Sequence, residues 1–378
     1  MRKLNEQTKA AIRKAFHNLT GSGVPEESLA RFLADSAISY LELPEAILND
    51  WFRPDEYQDS EVCAEPKVAT LTGLAVGDAL GMPFEMCGVH SNILLNWKGE
   101  FRDGRASAYT QDLKAGQWTD DTKMAKALAE SLRAEGTYSP AAAAKKYLDW
   151  FQSGDLRGIG TTTQQAMTRL EAGYPWTQSG IVGSEGNGSA MRMAPVGILF
   201  RDNIQAAAEM AVIDSRITHK SPEAEAGSIA VAVGVAALLQ GVPREALISK
   251  VLEWMPDDRL QLAQRLRTAQ GMVKQGCSER DLANNLAEFG TSAHVVQTVP
   301  TAFLAFASTT SFRDAVHVAV LAGGDTDTTA AIVGALAGTF YGIEQVATLL
   351  EHVEGAKELR ALERSLYKAA RPVYMVHE

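Results

Sequence analysis

Glycine returns at every fourth position in two apolar stretches: Gly73, Gly77 and Gly81 in GLAVGDALG, and Gly334, Gly338 and Gly342 in GALAGTFYG. Residues four apart share one helix face. A glycine inside a helix costs about 1 kcal/mol relative to alanine. What the missing Cβ permits is close approach of another backbone. The stripes therefore predict central helices packed backbone to backbone, a rigid platform for whatever lies at their ends. The rest of the chain agrees. Alanine-rich segments with helical period recur over 67–81, 122–135, 140–152, 161–171, 203–213, 222–240, 244–253, 258–275, 279–288, 298–308, 312–320 and 328–341. Alternating β-branched runs are scarce and no fixed-period repeat stands out. The expected class is all-α, a domain of many packed helices.

Residues 66–378 are assigned to that domain and residues 1–65 to a small helical extension. In the extension Ile12, Phe16 and Leu19 share one face, Leu29, Phe32 and Leu33 mark a second helix, and Ile47, Leu48, Trp51 and Phe52 a third. RPDEYQDSEVCAEP, residues 53–66, has the composition of a linker. The net charge of −10 argues against a nucleic-acid binder, which needs a basic face. Cys63, Cys87 and Cys277 form neither a disulfide framework nor a zinc pattern, so a reducing compartment is expected. The basic start MRKLNEQTKAAIRKAF lacks an apolar core of signal-peptide type. Ile217 to Leu239, the nearest approach to a membrane span, is broken by His219, Lys220, Glu223 and Glu225. A cytoplasmic protein without membrane contact is expected.

Two acidic clusters share one layout: a glycine loop, Thr and Asp residues, then an apolar helix. GQWTDDTKMAKAL carries Thr119, Asp120, Asp121 and Thr122; LAGGDTDTTAAIV carries Asp325, Thr326, Asp327 and Thr328. Helix capping is the competing explanation, since Asp and Thr accept backbone N–H bonds and acids suit a first turn. Capping accounts for one or two acids per helix. It does not require both clusters, and a shared metal site is the better account of the pair. All-oxygen donors select Mg²⁺ or Mn²⁺ over zinc. Four carboxylates suit two such ions roughly 3.5–4 Å apart. A third acidic element is GDALGMPFE, with Asp78 inside the glycine-striped helix and Glu85 in the turn after it. Alone, Asp78 reads as a polar helix residue and Glu85 as a loop acid.

In order along the chain, GLAVGDALGMPFE, GQWTDDTKMAKAL, GNGSAMRMAP, THKSPEA and LAGGDTDTTAAIVGALAGTFYG resemble the motifs of the ADP-ribosylglycohydrolases. The likeness spans about residues 67 to 345. It implies an all-α fold with a binuclear Mg²⁺ or Mn²⁺ cleft. By motif it implies Thr119, Asp120, Asp121, Asp325, Asp327 and Thr328 as metal ligands, with Glu85 beside them. It implies substrate contacts from Gly186, Asn187, Gly188, Ser189 and Met191 of GNGSAMR, and from His219. Glycines suit such a loop because backbone N–H groups can approach a phosphate closely. One departure stands out. Where relatives carry the aspartate of an Asp-Ile-Gly motif, GIGTTT has Gly158, with Asp155 three residues earlier.

The reaction expected from the resemblance is hydrolysis of the bond between ADP-ribose C1″ and a protein side chain, most often an arginine guanidinium, through an oxocarbenium-like state. Glu85 is the expected general acid/base, with metal-bound Asp121 as the alternative and Asp120 completing the catalytic set. The expected partner is an ADP-ribosylated protein. Immunity-type relatives add an ADP-ribosyltransferase toxin, and the acidic residues 1–65 would be its binding arm. The alternatives are a protein that works by masking such a toxin, and a hydrolase of serine-linked or free ADP-ribose derivatives.

Overall fold

Residues 67–104, 110, 112–257 and 259–369 are described by the computed structural model, and all belong to one unit of the chain, Cys63–Glu378. The helical extension expected over 1–65 lies outside the described residues. Helix α1 (Thr70–Gly81) is followed by strand β1 (Cys87–Gly88) and by α2 (Asp120–Glu135), α3 (Pro140–Gln152) and α4 (Thr161–Glu171). Next come β2 (Ile181–Val182), α5 (Ala194–Leu199), α6 (Ile204–Thr218), β3 (His219–Lys220) and α7 (Pro222–Leu239). Then follow α8 (Leu247–Leu252), α9 (Gln261–Met272), α10 (Glu279–Phe289), α11 (Val295–Ser308) and α12 (Phe312–Leu321). Strand β4 (Gly323–Gly324) leads into α13 (Thr326–Tyr341), α14 (Ile343–Leu350) and α15 (Ala356–Ala369). The fold is all-α. The strands are two-residue pieces, β1 antiparallel to β4 and β2 parallel to β3.

The glycine stripes meet each other. Helices α1 and α13 run antiparallel at the centre. A Cβ on Gly73 would lie 2.4 Å from the Gly334 carbonyl oxygen, one on Gly77 2.0 Å from that of Ala330, and one on Gly81 2.3 Å from that of Thr326. From the other side, a Cβ on Gly338 would lie 1.9 Å from the Ala69 oxygen. No side chain fits there, so backbone touches backbone as the four-residue spacing predicts. The antiparallel sense carries the end of α1 to the start of α13. Every residue of α1 is buried. Among the described helices, α7 alone is long and apolar enough to cross a membrane, and 83% of it lies inside this core.

Two helix starts receive remote buried carboxylates. Glu363 of α15 accepts the Leu71 N–H at 2.7 Å and the Thr72 hydroxyl at 2.9 Å at the start of α1. Glu223 of α7 accepts the N–H groups of Gln261 and Leu262 at 2.9 and 3.0 Å at the start of α9. Two expected starts come out late. Periodicity begins at 122 and 328, whereas α2 begins at Asp120 and α13 at Thr326. Asp and Thr are weak helix formers, so the apolar pattern starts after them. Helices α5, α14 and α15 lie outside the segments expected. The buried stripe of α15 rests on Leu359, Leu362 and Leu366 among many charges.

Candidate active site

Three helix ends converge: the last turn of α1 and the first turns of α2 and α13. Asp78, one turn before the end of α1, is fully buried and accepts bonds from the start of α2. Its oxygens take the Thr119 N–H at 3.0 and 3.1 Å and the Thr119 hydroxyl at 2.9 Å. They also take the Thr122 N–H at 3.0 Å and the Thr122 hydroxyl at 2.6 Å. Thr326 ties the third end, donating its hydroxyl to the Gly81 carbonyl at 2.8 Å.

The acids expected to meet do meet. Glu85, Asp120, Asp121, Asp325 and Asp327 are all less than a tenth exposed. One oxygen each of Asp78, Asp121 and Asp327 lie within 4.8 Å of one another. The Thr119 hydroxyl is 3.2 Å, and the Thr328 hydroxyl 3.4 Å, from Asp121 Oδ2. Burial pushes Asp120 well above the usual carboxylate range, and the charges of Asp78, Glu85 and Asp325 add to it. Asp121 is raised well above it by burial, then by Asp78, Asp120 and Asp325. Asp327 is raised likewise by burial, then by Glu85 and Asp325. Burial and mutual repulsion thus disfavour the charged form of all three acids. Asp121 Oδ1 is buried and makes no hydrogen bond. An orphaned buried carboxylate oxygen is costly, and among acids and threonine hydroxyls a hard divalent cation satisfies it. The donor set fits such an ion.

A second loop supports the cluster. Asn187 donates its side-chain amide to Asp325 Oδ2 at 2.6 Å and bridges to the Thr298 hydroxyl at 2.9 Å. Its N–H is held by the Ala293 carbonyl at 3.0 Å, while the Thr291 carbonyl takes the Asp325 N–H at 2.7 Å. Residues 290–294 thus form a saddle between the GNGS loop and Asp325. No periodicity or motif in the sequence marks this saddle. Gly186 and Gly188 lie against the buried His219 ring, where Cβ atoms would come within 3.1 Å of Nε2 and 2.8 Å of Cε1. Burial, with the Arg192 charge, lowers His219 to about 3, so the ring is neutral. Ser189 turns inward, its hydroxyl 2.9 Å from that of Ser215 and 3.0 Å from that of Ser228. Met191 is buried as well. Beneath the loop, buried Arg192 donates to Asp214 Oδ1 at 2.7 Å and to the Gly188 carbonyl at 3.3 Å.

Gly158 has φ +80°, and a Cβ there would lie 2.7 Å from Thr119 Cβ and 2.8 Å from Asp120 Oδ1. The bare backbone closes this loop against the start of α2, and an aspartate has no room in the same place. Asp155, three residues earlier, pairs with nearby cations. Its carboxylate is taken by Lys123 and by Arg157, the latter at 2.9 Å through two nitrogens. The Arg157 bonds, seconded by Lys123, hold its pKa below the usual range. Both cations lie over the Trp118 ring, 4.9 and 5.2 Å from its centroid.

The described site can be set beside known proteins. A family model described as ADP-ribosylglycohydrolase matches residues 65–374. A protein of Archaeoglobus fulgidus is 34% identical over 298 residues, 79% of this chain and 94% of the relative. The ADP-ribosylarginine hydrolase Tri1 of Pseudomonas putida is 29% identical over 311 residues, 79% of this chain and 77% of the relative. A solved structure, an ADP-ribosylglycohydrolase-related protein complex, matches with TM-score 0.64 and 29% identity, over 81% of this chain and 98% of that one.

Proposed function

Because the chain belongs to the ADP-ribosylglycohydrolase family, we propose that it releases ADP-ribose from a modified arginine side chain, using a divalent-cation site at the joined starts of α2 and α13. The family hydrolyses ADP-ribose linkages. The arginine linkage is supported by the likeness to an ADP-ribosylarginine hydrolase. The observation that carries the cation site is the partnerless, buried Asp121 Oδ1 amid Asp78, Asp120, Asp325 and Asp327.

Asp120, Asp121, Asp325 and Asp327, with the hydroxyls of Thr119 and Thr328, would hold Mg²⁺ or Mn²⁺, and two ions suit four carboxylates. Bound cations supply positive charge that offsets the carboxylates and polarises oxygen atoms of the sugar. Asn187 keeps Asp325 oriented through its 2.6 Å bond, so that carboxylate does not swing when substrate enters. Glu85 is the proton carrier. It lies close enough to Asp120 and Asp327 to raise both. As acid it protonates the departing guanidine nitrogen, since guanidine leaves poorly otherwise. As base it takes the proton of the water that attacks C1″. Neutral His219 backs the glycine loop without adding charge to it.

The test offers arginine-linked and serine-linked ADP-ribosyl peptides to the protein, with Mg²⁺ and with a chelator. The expected result is ADP-ribose release from the arginine peptide, lost on chelation. Preferential cleavage of the serine peptide refutes the arginine assignment. Equal rates under chelation refute the cation site.

A further inference from the structure

Proximity makes Asp78 look like a third ligand, for one of its oxygens lies within 4.8 Å of oxygens of Asp121 and Asp327. Its bonding says otherwise. A carboxylate offers about four lone-pair sites. Asp78 receives four donors: the N–H and hydroxyl of Thr119 and the N–H and hydroxyl of Thr122. We propose that Asp78 is a positioning residue for the cation site and not a ligand in it, an inference that rests on the cation reading above.

The Thr119 hydroxyl shows what is positioned. It owns one hydrogen. It lies 2.9 Å from Asp78 Oδ1 and 3.2 Å from Asp121 Oδ2. Donation to the nearer oxygen leaves its lone pairs, and those of Asp121, for a cation. Asp78 also does the work that the residue before α2 leaves undone, because the Thr119 side chain makes no cap bond. Glu363 and Glu223 hold the starts of α1 and α9 in the same remote manner. At α2 alone of these three starts does the first turn carry two of the clustered acids, Asp120 and Asp121. Moving that turn moves them.

The test compares wild type, Asp78→Asn and Thr122→Val after stripping with a chelator. Mn²⁺ titration followed by electron paramagnetic resonance gives affinity and stoichiometry, and thermal unfolding of the metal-free proteins gives stability. Outer partners of metal ligands are typically worth 10–100-fold in affinity. Asp78→Asn is expected to weaken Mn²⁺ binding by about that factor while keeping the wild-type number of ions. Thr122→Val removes one of the four donors to Asp78 and keeps both Thr119 bonds, so it is expected to lower the melting temperature and to weaken Mn²⁺ binding less than Asp78→Asn does. Unchanged affinity in Asp78→Asn overturns the inference, and so does the loss of one ion. Equal weakening by Thr122→Val overturns it too, by making the effect one of helix stability. If wild type itself binds no Mn²⁺, the cation reading falls and takes this inference with it. Should Asp78→Asn fail to fold, Mn²⁺-soaked crystals of wild type decide: an Asp78 oxygen within about 2.2 Å of an ion overturns it.

Discussion

Ser139, Asn203, Ser221, Ser278 and Ser311 stand just before helices, and each accepts the N–H of the residue three places on, at 3.0 to 3.3 Å. Thr119 and Asp325 hold the same position before α2 and α13, and neither side chain makes a cap bond. The contrast weighs against the capping explanation for the two acidic clusters. Away from the cleft, small polar residues satisfy their own helix. At the cleft that duty is moved elsewhere, to Asp78 for α2, and the clustered acids do not cap their own helices. One oxygen of the cluster, Asp121 Oδ1, has no hydrogen-bond partner. A side-chain cap is worth about 1 kcal/mol, and the proposed cation site would offset giving it up where acids already crowd together.

The comparison can be broken most sharply at Asp121. Asp121→Asn is expected to cut the initial rate of ADP-ribose release by more than about 100-fold, beyond what outer partners cost. A variant with wild-type rate would place the orphaned oxygen among structural accidents. A smaller effect comes from His219, beside the glycine loop. Its folded pKa, about 3, lies below the ordinary 6.5. A lowered value stabilises above the unfolded pKa, and that stability is lost as pH falls through 6.5 toward 3. Urea unfolding of wild type against His219→Gln should therefore show the wild-type advantage shrinking by about 2 kcal/mol between pH 7 and pH 5. A constant difference would mean that the ring titrates freely. The smallest effect belongs to an outer start. Ser311→Ala is expected to cost about 1 kcal/mol in the same unfolding measurement and to leave the rate of ADP-ribose release untouched. A loss of rate there would erase the distinction between the two kinds of helix start.

Much of the fold was legible because its signals are local. The four-residue glycine spacing marked α1 and α13, and helical period marked most of the long helices around them. The acids were legible because unlike segments repeated one layout of glycine, Thr and Asp. Other parts were not. Asp78 looked like an ordinary polar helix residue, since its four donors come from residues more than 40 positions away. The bond from the Asn187 amide to Asp325, 138 positions away, carries no local signal either. The saddle at 290–294 carries no pattern, because its work is done by backbone carbonyls. Asp155, three residues before Gly158, pairs with Lys123 and Arg157, a contact that the sequence does not mark.

By itself, the sequence determined which residue types are available: bare glycine faces that let backbones touch, and acids placed at the mouths of two buried helices. Tertiary structure decided which of those acids cap, which lean on a neighbour and which remain open. The reason is that a carboxylate's role depends on the donors within hydrogen-bonding reach. Here those donors arrive from helix ends that the antiparallel packing of α1 and α13 brings together.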